Sequence, residues 1–307
     1  MPKWLFYSFL AVVLWAVWAI IPKATSDKMS PALMQVILTM GLVPVASTLA
    51  FSKNLTEGNR IRRGIVYAFA TGLCGCIGNV ALLEALKHGG EASTIYPLTG
   101  MYPLVTVILA RFLLKENPNR VQSLGIGIAL FSIYLFSTEG SSGAAVDTRS
   151  WMNAISVWMA FALLALILYG VAGVTQKVAT NEISTELSTI CFAAAFIPVA
   201  CAILLTQRLD YHVSNKDWFL AILFGMLMGF AMVVQFAAYR RGKASVVTAV
   251  TALYPAVTVV LAVPLFGERL DSRKIVAIIL ALAAGAAVSY ERQPEVESTT
   301  RTGAHSV

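Results

Sequence analysis

Charge is the scarcest property of this sequence: Asp, Glu, Lys and Arg supply only 13% of its 307 residues, about half the share usual in soluble domains. Apolar residues supply 58% and the mean hydropathy is +0.74, which leaves too little polar surface to cover a soluble fold. Histidine is nearly missing, with dispersed copies at His88, His212 and His305, and no nucleophile-elbow, phosphate-loop or zinc-helix pattern occurs. The four cysteines, Cys74, Cys76, Cys191 and Cys201, all lie inside apolar runs. A C-x-C pair on a helix points its thiols about 200° apart, so these read as small fillers rather than a metal site or a disulfide. These absences argue against an enzyme and against any cofactor or metal. A basic patch interleaved with aromatics is also lacking outside the apolar runs, so the net charge of +7 reads as topology and lipid-headgroup attraction, with no nucleic-acid partner.

What the chain has instead is ten largely apolar stretches, at 4–24, 31–51, 64–86, 92–114, 120–138, 155–178, 184–206, 216–238, 244–266 and 272–290. About twenty apolar residues take a helix across a hydrocarbon core of about 30 Å. Barrel strands are excluded because they would be about ten residues long and alternate in polarity. The first run is longer than the core of a cleavable signal and is read as a helix.

One stretch is written twice. ASTIYPLTGMYPLVTVILARFLLKE (92–116) and ASVVTAVTALYPAVTVVLAVPLFGE (244–268) share twelve of twenty-five positions at a constant offset of 152, without gaps. LWAVWAIIPKAT (14–25) echoes LYGVAGVTQKVAT (168–180), and EALKHGGEAS (84–93) echoes FAAYRRGKAS (236–245). The first copy falls in span four and the second in span nine, so each half holds five helices and the odd number inverts the second. Lys and Arg number 14 on the side of the N-terminus and 9 on the other, which puts both termini in the cytoplasm and the chain in the plasma or inner membrane. The expected fold is an all-α polytopic membrane protein of ten transmembrane helices in two inverted five-helix repeats. The first repeat spans 1–138, a linker 139–150, the second repeat 151–290 and a polar, disordered tail 291–307.

Small-residue starts (Ala92-Ser93, Ala244-Ser245) lead through a mid-helix Pro to a terminal Glu (Glu116, Glu268). With the ten-span, two-repeat layout, this pattern resembles the EamA type of the drug/metabolite transporter superfamily over nearly the whole chain to about Tyr290. The resemblance implies ten helices, cytoplasmic termini, and export or exchange of small organic metabolites. Small multidrug-resistance relatives use a carboxylate in the first helix for proton coupling, and the first span here has none, so the resemblance does not carry proton antiport over.

Pro103 and Pro255 sit near the midpoints of their spans, where a missing N–H frees a carbonyl and kinks the helix. Around them Thr99, Tyr102 and Thr106 repeat as Thr251, Tyr254 and Thr258, within one broad helical face. They are candidates for lining a substrate cavity; the alternative is that the threonines bond back to their own helices. Tyr96, which aligns with Thr248, is the weaker candidate of the first copy. Trp15 near mid-membrane and its counterpart Tyr169 join the set, Trp18 less so, and an indole at that depth needs a partner for its N–H. Asn79 and Gln235 are amides in apolar spans that must find partners. Of sixteen carboxylates fifteen fall in loops, tails or span ends and Glu84 alone lies further inside a span, near its outer end; with His88 it is either a proton or cation gate or, with Lys87, a rim ion pair. Glu116 and Glu268 read as caps of the helices that follow them. Gly72, Gly75, Gly78, Gly225 and Gly229 read as close helix contacts.

With no midplane charge, the cavity suits amino-acid-like, amphipathic or aromatic compounds of little net charge and not polyanions. The expected function is a secondary transporter working by alternating access, because inverted halves can exchange conformations. A channel would need a continuous polar stripe, an enzyme an intramembrane acid–base or metal cluster, and a membrane sensor or scaffold would tolerate changes at the central residues. The expected partners are a small-molecule substrate and the lipid bilayer; a homodimer is compatible with the sequence.

Overall fold

The computed structural model describes residues 3–25, 27–55, 57–113, 119–137, 156–241, 250–251, 253–288 and 290. The expected linker at 139–150, the tail at 291–307, Glu116 and the start of span nine at 244–249 lie outside the described residues. The helices are α1 (Lys3–Thr25), α2 (Pro31–Ser47), α3 (Ile61–Lys87), α4 (Ala92–Gly100), α5 (Tyr102–Leu113), α6 (Arg120–Ser137), α7 (Val157–Glu182), α8 (Thr185–Ala194), α9 (Phe196–Thr206), α10 (Asn215–Arg241), α11 (Tyr254–Phe266) and α12 (Ser272–Val288).

Among the described residues six stretches are long and apolar enough to cross a bilayer: Lys3–Thr25, Pro31–Phe51, Ile61–Lys87, Val157–Glu182, Thr185–Thr206 and Asn215–Gln235. Arg120–Phe136 and Tyr254–Phe266 are apolar but shorter. The fourth expected span is broken, because Pro103 has no N–H for the Thr99 carbonyl; α4 stops at Gly100 and α5 restarts at Tyr102. The seventh breaks at Ala195, three residues before Pro198. Phe9, Val66, Phe219 and Val260 point outward, half or more exposed, an apolar exterior that lipid covers and water would not.

The repeat reappears in the caps. Ser30 accepts from Leu33 N at 3.2 Å to start α2, and Ser184 accepts from Leu187 N at 3.2 Å to start α8. The two serines stand at the offset that relates Lys23 to Lys177 (184 − 30 = 177 − 23 = 154).

It reappears in the packing too. The most extensive helix pairings among the described residues cross between the halves: α3 with α7 and α1 with α10, α2 with α10 and α3 with α8, α5 with α7 and α1 with α11. Exchanging each helix for its repeat counterpart turns α3–α7 into α1–α10, α2–α10 into α3–α8 and α5–α7 into α1–α11, and the pairing α6–α12 into itself. The halves interlock rather than standing side by side.

Two glycines make the α2–α10 and α3–α8 crossings tight. A Cβ on Gly225 would strike the Leu38 carbonyl and lie against Gly41, and one on Gly72 would strike the Phe192 carbonyl and Ala195. Leu38 and Gly41 are offset by 154 from Phe192 and Ala195, so one crossing is built twice. Backbones can approach this closely only without a side chain, and in lipid such van der Waals contact drives association.

Chain direction puts the start of α4 and the ends of α1, α3 and α11 at one end of the bundle, the distal end. The starts of α1 and α3 and the ends of α7 and α10 occupy the proximal end. Glu268 corrects an expectation: it caps α4, not the following α12. Its Oε1 accepts from Ala92 N at 2.7 Å and its Oε2 from Ser93 N at 2.8 Å. The start of α12 is served instead by Asp271, whose Oδ1 accepts from Lys274 N at 2.7 Å, while Gly267, at φ 65°, ends α11 in the left-handed conformation typical of a helix C-terminus.

Candidate substrate cavity

A cavity of about 180 Å³ opens at mid-span between the halves. One wall comes from Trp15 and Trp18 on α1, Thr71, Gly75 and Leu82 on α3, and Gly100, Tyr102 and Pro103 at the α4–α5 break. The facing wall comes from Tyr169, Ala172, Gly173 and Gln176 on α7, Phe192 on α8, Met228, Met232 and Gln235 on α10, and Thr251 and Tyr254 at the start of α11. The lining runs toward the proximal end through Thr71, Gln176 and Gln235. None of the described lining residues comes from the start of α4 or the end of α11. A cavity near 150 Å³ holds one benzene, so the space fits a ring-sized group.

Aromatic rings order the cavity. Trp15 meets Trp18 edge-on, centroids 5.3 Å apart at 86°, and Tyr254 at 6.3 Å and 45°. Trp18 is itself fixed by stacking on Phe224 at 4.9 Å and by an edge contact with Tyr96 at 6.4 Å. The Trp15 indole donates to Gln235 Oε1 at 2.8 Å, which gives the central tryptophan the partner it requires and ties α1 to α10 across the halves. The described lining residues carry no charged side chain. Rings, two methionines, hydroxyls and amides therefore set its chemistry.

Of the residues singled out by sequence, Trp15, Tyr102, Pro103, Tyr169, Gln235, Thr251 and Tyr254 line this cavity. Asn79, Thr99, Thr106, Pro255 and Thr258 lie outside its wall, each for a visible reason. Thr99 donates to Ile95 O at 2.8 Å and Thr258 to Tyr254 O at 3.0 Å, the local bonding open to a helical threonine. Thr106 reaches across to Gly170 O at 3.0 Å, joining α5 to α7. Pro255 packs against Gly100. Asn79 Nδ2 donates to Gln35 Oε1 at 2.6 Å, and Gln35 Nε2 to Cys76 Sγ at 3.2 Å, a fully buried polar chain between α2 and α3. Glu84 and His88 also lie off the wall, near the distal end, with His88 Nδ1 3.6 Å from Glu84 Oε2 and the imidazole tilted against Phe161 at 5.4 Å.

Phe192, Met228 and Met232 lie outside the stretches that repeat, and Gln176 lies in the weaker 168–180 echo, outside the 92–116 and 244–268 motif. A helical signal was present nonetheless: Tyr169, Ala172, Gly173 and Gln176 follow the i, i+3, i+4, i+7 spacing of one face, and Met228, Met232 and Gln235 the spacing i, i+4, i+7.

Residues 2–138 and 156–290 each match the model of the EamA-like transporter family. A 90-residue stretch is 34% identical to "Uncharacterized transporter YyaM" from Bacillus subtilis (strain 168); it spans 28% of this chain and 29% of the length of that relative. A chain of known crystal structure superposes with a TM-score of 0.60 at 18% identity, covering 94% of this chain and 95% of its own. That likeness is one of fold.

Proposed function

The chain belongs to the EamA-like transporter family and is a multi-pass membrane transporter, and we propose that it is a secondary carrier of small organic metabolites that works by alternating access. In this reading its ten spans form two inverted five-helix repeats, both termini lie in the cytoplasm, and the chain exports or exchanges its substrate across the plasma membrane. The observation that carries the proposal is the central cavity, walled by both halves. Contacts related by repeat exchange support it, since exchanging the conformations of inverted halves moves the opening from one face to the other.

The substrate is a neutral or zwitterionic compound with aromatic or apolar bulk. A polyanion would need Arg or Lys in the wall, and the described wall holds rings, methionines and amides. Trp15, Tyr102, Tyr169, Gln235, Thr251 and Tyr254 bind it. The break before Pro103 puts irregular backbone beside the cavity, where it is tolerated at that depth. Asn79, Thr99, Thr106, Pro255 and Thr258 hold that wall in place from behind, and Glu84 with His88 gates protons or cations near the distal end.

A thermal-shift panel on the detergent-solubilised protein tests the substrate class. Amino acids, aromatic metabolites, amines, dicarboxylates and nucleotides are compared, since a ligand at about 100 Kd stabilises by about 2.7 kcal/mol. Stabilisation by neutral or zwitterionic aromatics alone is the expected result; stabilisation by nucleotides or dicarboxylates alone refutes the class.

A further inference from the structure

We propose that Glu268 is the latch that keeps the distal end of the cavity shut, and that its release is the step that opens a path there. The inference rests on the alternating-access reading above. Glu268 belongs to the second half and the helix it holds to the first. Both of its oxygens are used, on Ala92 N and Ser93 N at 2.7 and 2.8 Å, and the residue is only 9% exposed.

The two N–H groups it takes are among those a helix start leaves without an intrahelical partner, so the contact adds bonds that α4 cannot make for itself. A carboxylate there gains from the charge assistance of each bond and from the positive end of the helix dipole. A second link crosses between the halves beside it: Lys274 at the start of α12, its side chain 3% exposed, pairs with Glu91 immediately before α4. Lys23 braces the same turn through the Gly90 carbonyl at 3.1 Å. Ser93 and Thr94, 0% and 2% exposed, lie beneath these contacts, and the described cavity lining stops short of them. A path from the cavity to the distal face between α4 and α11 separates the end of α11 from the start of α4, and that separation breaks both Glu268 bonds.

The sequence writes the same three residue types as Glu116, Ala244 and Ser245, at the repeat offset of 152. The latch inferred here is the distal one alone.

The test is accessibility. Thr94→Cys is introduced into the full chain in proteoliposomes, and its labelling by a membrane-impermeant maleimide is measured from each face, with the parent chain and its four cysteines as the blank. Glu268→Gln keeps the shape but removes the charge and one acceptor. Its labelling from the distal face should rise about tenfold, the factor carried by one such bond, with the thermal midpoint within a few degrees of the parent's. An unchanged rate in folded protein overturns the latch. Should Glu268→Gln fail to insert, Glu91→Gln, at a 40% exposed side chain, breaks the neighbouring link and should raise labelling about twofold; no rise there overturns the latch equally. Flux is measured in the same vesicles. A parent that carries none of the panel compounds counts against the transport reading, while the labelling result still decides the latch.

Discussion

Arg63 and Glu182 lie 3.7 Å apart at the proximal end of the bundle, and the pair recurs at the distal end with its charges exchanged, as Asp217 and Lys28 at 3.8 Å. The offsets agree: 217 − 63 = 182 − 28 = 154. One pair joins the start of α3 to the end of α7, the other the start of α10 to the turn that follows α1, so a single tie between halves is made twice, once at each end. An inverted duplication accounts for the placement. The exchange of sign puts the basic residue on the first half in both copies, so each tie is attractive.

Reversing one member tests the tie. Arg63→Glu faces Glu182 with a like charge, and because Arg63 is half exposed the loss should be about 0.5–1 kcal/mol. Adding Glu182→Arg should restore most of it, read as a double-mutant cycle in thermal midpoints. Two strictly additive losses would mean that the pair makes no contribution.

Glycine substitution separates tight crossings from open helix faces. Gly72→Ala and Gly225→Ala push a methyl group into a facing carbonyl and should each cost about 1–3 kcal/mol. Gly127→Ala meets nothing within 4 Å on α6 and should be neutral or stabilise by up to about 1 kcal/mol. Equal midpoints for the three variants would contradict the packing described here.

Trp15→Phe keeps the ring in the cavity but leaves Gln235 without its indole donor. The bond lost is part-buried and contributes about 0.5–1.5 kcal/mol, and the KM of whichever compound is carried should rise severalfold with kcat less affected. In the Gln235→Leu background the same change should do much less, because the partner is already gone. A Trp15→Phe variant with parent KM would remove that pair from the binding site.

Much of this was legible in the sequence because apolar periodicity and internal repetition are strong signals in lipid. The close contacts at Gly72 and Gly225 and the two matching halves follow from them. Half-visible features had local competitors: the threonines at 99 and 258 satisfy the pattern of a polar face, yet a helical hydroxyl can also be content with the carbonyl four residues back. The partner of Glu268 was not readable at all. A carboxylate before a helix has an obvious local target, and only the fold shows that another helix start is closer and that Asp271 serves the local one. Gln176 and the methionines lie outside the 92–116 and 244–268 motif, and their signal is the weaker one of helical spacing outward from Tyr169 and Gln235.

Glu84 and His88 give a pH test. If they gate protons or cations, flux should vary with pH, and Glu84→Gln should flatten that dependence. A variant whose pH profile superimposes on the parent's makes the contact, 3.6 Å across side chains that are 44% and 30% exposed, a rim ion pair.

The most direct test of the central claim is exchange in proteoliposomes. The compound that stabilises the protein most in the thermal-shift panel is loaded inside unlabelled, and uptake of the labelled compound from outside is followed. Alternating access through the cavity predicts that internal substrate accelerates uptake severalfold, and that Tyr102→Ala and Tyr254→Ala, inserted normally, lose most of that acceleration. A compound that binds yet shows no uptake above protein-free vesicles would contradict the carrier account and leave a binding protein of the membrane in its place.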